Sequence, residues 1–363
     1  MSPTLTEDLQ YTLSRLTPAE QNKLSGSTIL LTGCSGFLGY YFLHFFKAHA
    51  KTLAIQKVIG LDNFGLGTPA WMEDFQTDPL FEIRKFDIAT DDLTQLEGAE
   101  KADYIIHMAS IASPIYYRKY PIETLDANIW GLRRLLDFYK DKPHQGFLFY
   151  SSSEIYGDPD ADHIPTNEEY RGLVSCTGPR ACYDESKRFG ETMCTLFAKQ
   201  YDMPIRIVRP FNIYGPGMRL DDQRLPPDFA KNVLANQDLV IYSDGTPTRT
   251  FTYVADSIAG DLKILLHDRF DYFNMGSESP EITVRELADY FMEAGREICG
   301  YTGKVVFQVS SDQDYLTDNP QRRCPDLKKA QTLLGYAPTI SMADGVRRFL
   351  KFLQESDPKE YDW

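Results

Sequence analysis

The chain has 363 residues, 42% of them hydrophobic and 25% charged, the balance of an ordinary soluble fold with enough material for one large or two modest cores. Its net charge of −14 argues against a nucleic-acid partner and means that an anionic ligand needs a local basic pocket. No apolar run reaches membrane-spanning length, MSPTLTEDLQ lacks the features of a signal peptide, and six cysteines without a CxxC pair read as reduced thiols, so no membrane association and a cytoplasmic location are expected.

In residues 1–25, Leu9, Leu13 and Leu16 recur at helical spacing, which predicts an amphipathic helix serving either as a packing extension or as an oligomer contact. TILLTGCSGFLG, residues 28–39, reads as a buried strand, a glycine loop (Gly33, Gly36, Gly39) and the start of an apolar helix at Phe37 and Leu38. Such glycines allow a tight turn and let the backbone approach a pyrophosphate at a helix N-terminus. The spacing is GxxGxxG, not the stricter GxGxxG. About twenty residues on, the strand-like KVIGLD ends at Asp62, followed by Asn63. An acid there can hold a ribose diol and would repel a 2′-phosphate, which favours NAD.

FEIRKFDI is a further strand ending near Asp87 and Ile88, and ADYIIHMASIAS (102–113) is the next, with Ala109, Ser110 and Ala112 leaving room for a cofactor beside the backbone. PIETLDANIWGLRRLLDFYK (121–140) is predicted as a helix with Pro121 in its first turn and Leu125, Ile129, Leu132 and Leu136 on one face. FLFYSSSEIYG (147–157) reads as a strand running into Ser151, Ser152, Ser153 and Glu154; strand ends of an open α/β sheet line its ligand crevice.

GPRACYDESKRFGE (178–191) places Tyr183 and Lys187 four apart, on one face of a helix. An ammonium beside a phenol favours the phenolate, and a phenolate can take a proton from an alcohol. With 22 tyrosines in the chain, the pair gains its meaning from the glycine loop and serine cluster upstream. IRIVRPFNIYGPG (205–217) is a sixth strand and its exit, containing Asn212. Beyond it Arg219, Arg224, Lys231, Arg249, Arg322 and Arg323 come from separated segments, and such residues can converge on a diphosphate. The six histidines form no metal-ligand spacing, so no metal site is expected.

These motifs together resemble the extended short-chain dehydrogenase/reductase family, the NAD-dependent epimerases, dehydratases and decarboxylases of sugar nucleotides, over roughly Ser27 to Leu350. The resemblance implies an α/β fold: a Rossmann-type doubly wound parallel sheet with a smaller, interleaved C-terminal substrate domain. The expected division is an N-terminal extension (1–25), an NAD-binding domain (26–211) and a mainly substrate-binding part (212–363). Gly33, Gly36, Phe37, Leu38, Gly39, Asp62, Asn63, Asp87, Ile88, Ala109, Tyr183 and Lys187 would hold NAD. Tyr183, Lys187, Ser152, Glu154 and Arg249 would be catalytic, and Ser153, Asn212, Arg219, Arg224, Lys231, Arg249 and Arg323 would bind a nucleotide sugar, a UDP-sugar by resemblance. A homodimer is expected through a four-helix bundle formed by the 121–140 and Tyr183 helices. GPRACYDESKR most resembles the branch that decarboxylates UDP-glucuronate to UDP-xylose by C4 oxidation, loss of carbon dioxide and re-reduction. That branch usually has Thr at position 152 and Gly at 186, where this chain has serine. A 4-epimerase or a 4,6-dehydratase are the alternatives within the family, although a dehydratase calls for an acid where Ser153 stands. A non-catalytic NAD-binding regulatory protein is the alternative outside it, against which the joint presence of Ser152, Tyr183 and Lys187 argues.

Overall fold

The computed structural model describes residues 1–310 and 317–361. Seven parallel strands form the central sheet. They are Thr28–Thr32 (β1), Lys57–Asp62 (β2), Phe81–Lys85 (β3), Tyr104–His107 (β4), Gly146–Tyr150 (β5), Ile205–Pro210 (β6) and the later strand Asp271–Met275. Their spatial order is Asp271–Met275, β6, β5, β4, β1, β2, β3, so the chain starts in the middle and winds outward in both directions. β1, β4 and β5 are buried at every position, as expected of parallel strands covered on both faces. One apolar cluster lies against each face of the sheet.

Local sequence explains the helices that position the site. The helix Phe37–His49 begins after Gly36 and carries Tyr40, Tyr41, Phe42, Leu43, Phe45 and Phe46, all fully buried; a helix apolar on every side belongs inside. Pro121 opens the next long helical stretch, which passes through a π-helical segment, Asp126–Gly131, before resuming at Leu132–Tyr139. Gly131 lets this stretch approach the β3 exit, since a Cβ there would lie 2.6 Å from Ile88 Cγ2. Ala181–Tyr201 is a single helix of 21 residues bearing Tyr183 and Lys187.

Residues 1–25 resolve into two helices, Pro3–Ser14 and Pro18–Lys23, N-capped by Ser2 and Thr17. They pack inward: Leu5, Leu9, Leu13, Leu16 and Leu24 are all buried, and Asp8 accepts hydrogen bonds from Tyr253 Oη (2.5 Å) and Arg348 Nη1 (2.6 Å). Of the two expected roles, the segment has that of a packing extension.

Beyond β6 the chain leaves and returns. Short pairs form outside the main sheet, among them Thr248–Arg249 flanked by Ile282–Thr283 and Arg322–Arg323. Asp271–Met275 then rejoins the central sheet beside β6, and the helices Val254–Leu265 and Met342–Glu355 pack into the core.

Candidate active site

The candidate residues gather at the C-terminal ends of β1, β2, β4 and β5. In the glycine loop, Gly33 has φ +73°, and a Cβ on it would lie 2.8 Å from Ala109 N, so only glycine lets the β1 and β4 exits pass this closely. A Cβ on Gly39 would lie 2.4 Å from Cys34 O; its absence seats the helix against the loop. Gly36 N-caps the helix without a side-chain hydrogen bond, leaving the first-turn N–H groups at Phe37 and Leu38 to an external acceptor.

At the β2 end, Asp62 accepts hydrogen bonds from Ser35 N (2.9 Å) and Phe64 N (2.8 Å), and burial raises its pKa despite them. Asn63 Nδ2 donates to Asp87 Oδ2 (3.1 Å), so Asp62, Asn63 and Asp87 meet at one edge. Asp87 and Ile88 lie just past β3 and not within it. These residues fit a dinucleotide: a loop cleared of Cβ atoms, a bare helix N-terminus, and an acid where a ribose diol would sit. Ser110 Oγ, next to Ala109, is buried with no hydrogen-bond partner among the described residues, an unmet polar atom on the same cleft.

Tyr183 and Lys187 are both buried. Lys187 Nζ donates to Tyr150 O (2.8 Å) and lies 5.6 Å from the centre of the Tyr183 ring. Burial pushes the ammonium down to about 7 and the Tyr183 phenol up to about 12, while a hydrogen bond with Ser152 and the more distant charge of Arg224 act to lower the phenol. The expected lowering of the tyrosine by lysine does not emerge: the amine is turned to a main-chain carbonyl, and desolvation dominates both groups. Ser186 accepts a hydrogen bond from Asn128 Nδ2 (2.9 Å) and donates to Tyr183 O (2.9 Å), tying the Tyr183 helix to the π-helical segment.

Ser152 caps the turn Ser153–Tyr156 by accepting from Glu154 N (3.2 Å); Ser153 is buried beside it. Glu154 is gripped by arginines. Arg323 donates from Nη1 to Oε1 (2.7 Å) and from Nη2 to Oε2 (2.5 Å), and Arg180 pairs with Oε2 from another side. Burial alone would raise this carboxyl, but the two guanidiniums outweigh it and hold it at about 2. Arg249 is opposite Arg323 in the strand register and donates to the main-chain oxygens of Thr248 (2.8 Å), Gln321 (3.1 Å) and Pro320 (2.5 Å). Burial, with repulsion from Arg323, pulls Arg249 down to about 9.

Asn212 adopts φ +42° and donates to Thr250 O (2.9 Å), joining the β6 exit to the Arg249 segment. Arg219 pairs with Asp221 and Arg224 with Asp222, and Arg224 lies 5.9 Å from the Phe37 ring centre and within electrostatic reach of Tyr183. Lys231 is exposed on the helix Leu225–Leu234, facing Asp221 and Asp228; it is not brought into the cluster, because its position on that helix turns outward.

Three residues of this site escape a reading by motif. Arg180 is one. Asp184, buried and pushed up to about 7 by desolvation and by Glu154, is the second. Tyr117 is the third: its ring stacks on Tyr183 at 5.2 Å and 15°, and its buried hydroxyl has no partner among the described residues. The i, i+4 spacing of Arg180 and Asp184 was the available signal.

A glycine-loop parallel sheet with a buried Ser–Tyr–Lys set at its strand ends defines a short-chain-dehydrogenase-type, NAD-dependent enzyme fold. The profile of the NAD dependent epimerase/dehydratase family matches residues 29–276, and the chain belongs to that family. It is 33% identical to UDP-glucuronic acid decarboxylase 1 of Arabidopsis thaliana over 322 residues, 89% of this chain and 68% of that one. It is 32% identical to UDP-glucuronic acid decarboxylase 1 of Xenopus tropicalis, over 90% of this chain and 72% of that one. Among solved structures, UDP-glucuronic acid 4-epimerase of Bacillus cereus, in complex with UDP-glucuronic acid and NAD, superposes with a TM-score of 0.75 and 27% identity, covering 90% of this chain and 99% of that chain.

Proposed function

We propose that the protein is an NAD-dependent decarboxylase that converts UDP-glucuronate to UDP-xylose. The observation that carries this reading is the buried arginine cluster, Arg180, Arg249 and Arg323 around Glu154, next to Tyr183 and Ser152. In a chain of net charge −14, such a cluster supplies the local positive field that a sugar carboxylate needs. The decarboxylase relatives support the same substrate.

Bound NAD supplies the acceptor for the C4 hydride and later its source, and its charged nicotinamide ring favours a nearby phenolate. The protein's own residues do the rest. Tyr183 takes the proton of the C4 hydroxyl, with Ser152 orienting that oxygen and lowering the phenol's pKa. Lys187, anchored on Tyr150 O, fixes the base on its helix. Once C4 is a ketone, the C6 carboxylate is a β-keto acid and loses carbon dioxide, leaving an enolate that donors at the C4 oxygen stabilise. Glu154, Arg249 and Arg323 serve the carboxylate end of the sugar and Ser153 and Asn212 line its path; water supplies the proton that C5 takes up, which leaves a 4-keto pentose, and Tyr183 returns its proton to the C4 oxygen as C4 is reduced again.

Incubation with UDP-glucuronate and NAD, followed by mass spectrometry, tests the reading: a UDP-pentose is expected. A product of unchanged mass would replace decarboxylation with C4 epimerisation, a second reading favoured by the similarity to the Bacillus cereus enzyme. A Tyr183→Phe variant that binds NAD and turns over normally would remove the mechanism and return the chain to a binding role.

The proposal includes a homodimer. Ile122 (62% exposed) and Trp130 (60%), and Phe189 (50%) and Leu196 (58%) on the Tyr183 helix, expose large apolar side chains at helical repeat spacing, which supports a bundle between two copies. Trp130→Asp is expected to yield monomers in light scattering; a wild-type monomer would sink this part. The division into residues 26–211 for cofactor and 212–363 for substrate, and a cytoplasmic location, belong to the same proposal; six free cysteines support the latter.

A further inference from the structure

The Tyr183 helix meets the exit of β5 at three successive residues. Lys187 Nζ donates to Tyr150 O (2.8 Å), the Tyr183 phenol bonds with the Ser152 hydroxyl, and between them buried Ser151 donates from Oγ to Glu191 Oε1 (2.5 Å). Tyr183, Lys187 and Glu191 follow one another at intervals of four, so they share one side of the helix. Glu191 is itself locked. Arg209 of β6 donates to it from Nε to Oε1 (2.8 Å) and from Nη2 to Oε2 (2.6 Å), and only 13% of the glutamate side chain and 9% of the arginine side chain are exposed. The third nitrogen, Nη1, donates to Tyr156 Oη (2.8 Å) and to Glu168 O (2.8 Å). Tyr156 Oη donates onward to Asn274 Oδ1 (2.7 Å), and Asn274 Nδ2 donates to Thr166 O (2.9 Å) and Asp326 O (3.2 Å). The proposed mechanism uses Tyr183, Ser152 and Lys187 and leaves this network without a task.

We propose that Glu191, locked by Arg209, is a positioning residue for the base: it fixes Ser151, and with it the Ser152 hydroxyl that meets Tyr183. The energetics of the pair favour such a task over stability alone. Burying an ion pair costs about as much in desolvation as the attraction returns, and apolar residues of the same size would hold the helix to the sheet as well. What a two-pronged guanidinium–carboxylate pair adds is direction, since both bonds must align at once. Direction matters at this exit. Ser151 is the last residue of β5 tied to β6, through its N–H to Val208 O (2.9 Å), and Ser152 is the first beyond it. The Ser152 hydroxyl is the group that opposes burial at the Tyr183 phenol, and a hydrogen bond weakens steeply as its angle opens. A second tether on Ser151, from the helix that carries the base, holds that angle.

The proposal rests on the reading of Tyr183 as the base with Ser152 as its partner, and its test reads that base without turnover, whichever sugar the enzyme takes. NAD-loaded protein, isotope-labelled at the Cζ of its tyrosines, is titrated by NMR; the Tyr183 signal is the one missing from Tyr183→Phe. The charged and titratable groups around Tyr183 are Lys187, Glu154, Asp184, Arg224 and Tyr117, and Ser151→Ala alters none of them. Ser151→Ala is expected to raise the Tyr183 midpoint by about 0.5 in pH, part of the worth of one hydrogen bond. In a Ser152→Ala background it is expected to raise the midpoint no further. Arg209→Met is expected to raise it as Ser151→Ala does, and Arg209→Lys less, because lysine keeps the charge and loses the fork. Ser151→Ala removes one hydroxyl only, so it decides the matter even where an arginine variant folds poorly. An unmoved midpoint in Ser151→Ala, or an equal rise in the Ser152→Ala background, would overturn the proposal and leave the network a purely structural one. An unmoved midpoint in Ser152→Ala alone would remove the reading of the base, and the proposal with it, so the two failures are told apart.

Discussion

Glu154 is a carboxylate whose environment makes a quantitative demand. Its side chain is 16% exposed, and those of Arg180 and Arg323, which grip it, are 7% and 8% exposed. Its pKa falls from an ordinary 4.5 to about 2, a difference worth roughly 3 kcal/mol of stability at neutral pH. Removing the charge while keeping the shape, in Glu154→Gln, takes the paired carboxylate from buried Arg323 and leaves Arg180 with the more distant Asp184 (3.6 Å), for which about 3–5 kcal/mol is typical. The two routes agree, so Glu154→Gln is expected to lose about 3 kcal/mol in urea unfolding at pH 7.5. Adding Arg323→Met should restore part of it, with a coupling energy of about 1 kcal/mol or more in the double-mutant cycle. The pH dependence has a definite sign. A depressed carboxyl contributes stability that is present above its unfolded pKa and lost as pH falls through its folded pKa. The part of the gap between wild type and Glu154→Gln that belongs to Glu154 should therefore shrink from near pH 4.5 towards pH 2, while between pH 5 and 8 the gap also carries the shift of Asp184, which burial and Glu154 hold up. A coupling energy below about 0.5 kcal/mol, or a gap that persists unchanged down to pH 2, would refute the fixed anion. Held so low, Glu154 stays ionised at neutral pH, as a charge partner of the arginines does.

Three further outcomes follow from the same geometry. Ser152→Ala removes the hydrogen bond that opposes burial at Tyr183, so the rising, low-pH limb of the pH–rate profile for NADH formation in single turnovers should move to higher pH; an unmoved or lowered limb would detach Ser152 from Tyr183. Gly39→Ala forces a methyl to within 2.4 Å of Cys34 O, whereas Gly36→Ala meets only Gly33 O at 3.3 Å; the first is expected to cost about 1–3 kcal/mol and most bound NAD, the second much less, and equal melting temperatures would contradict this. Asp62→Ala removes the acceptor for Ser35 and Phe64 N–H; if it is also the acid for a ribose diol, NAD affinity should fall about tenfold or more and the preference over NADP should narrow, as read by calorimetry, and an unchanged ratio would reject that role.

What the sequence revealed was whatever is local. The glycine loop, the acid at the β2 end and the Tyr183–Lys187 spacing depend on neighbours within a turn or one strand–helix unit, and the structure puts each at the sheet's C-terminal edge. The Glu154 grip was not legible, because its partner Arg323 is 169 positions away on a two-residue strand whose register with Arg249 follows no periodic pattern. Nor was the balance at Tyr183, since spacing places an ammonium on the same helix face but says nothing of how deeply both groups are buried. Asp8 shows the same limit: nothing local marks it, yet it is buried against Tyr253 and Arg348 and secures the first helix.

Ser186 is where structure changes the weight of a sequence observation. Read against the family pattern, a serine in place of glycine on the catalytic helix counted as a departure that put the substrate in question. In the fold its hydroxyl bridges Asn128 Nδ2 and Tyr183 O, both buried, and so braces the helix one turn from the base. A glycine there would leave Asn128 with its Oδ1 and Nδ2 both without a protein partner, since Oδ1 already lacks one among the described residues. The serine is thus accounted for by support of the tyrosine, from the side of the helix that packs on the π-helical segment. It carries no information about the sugar, and the question of substrate rests on the arginine cluster around Glu154.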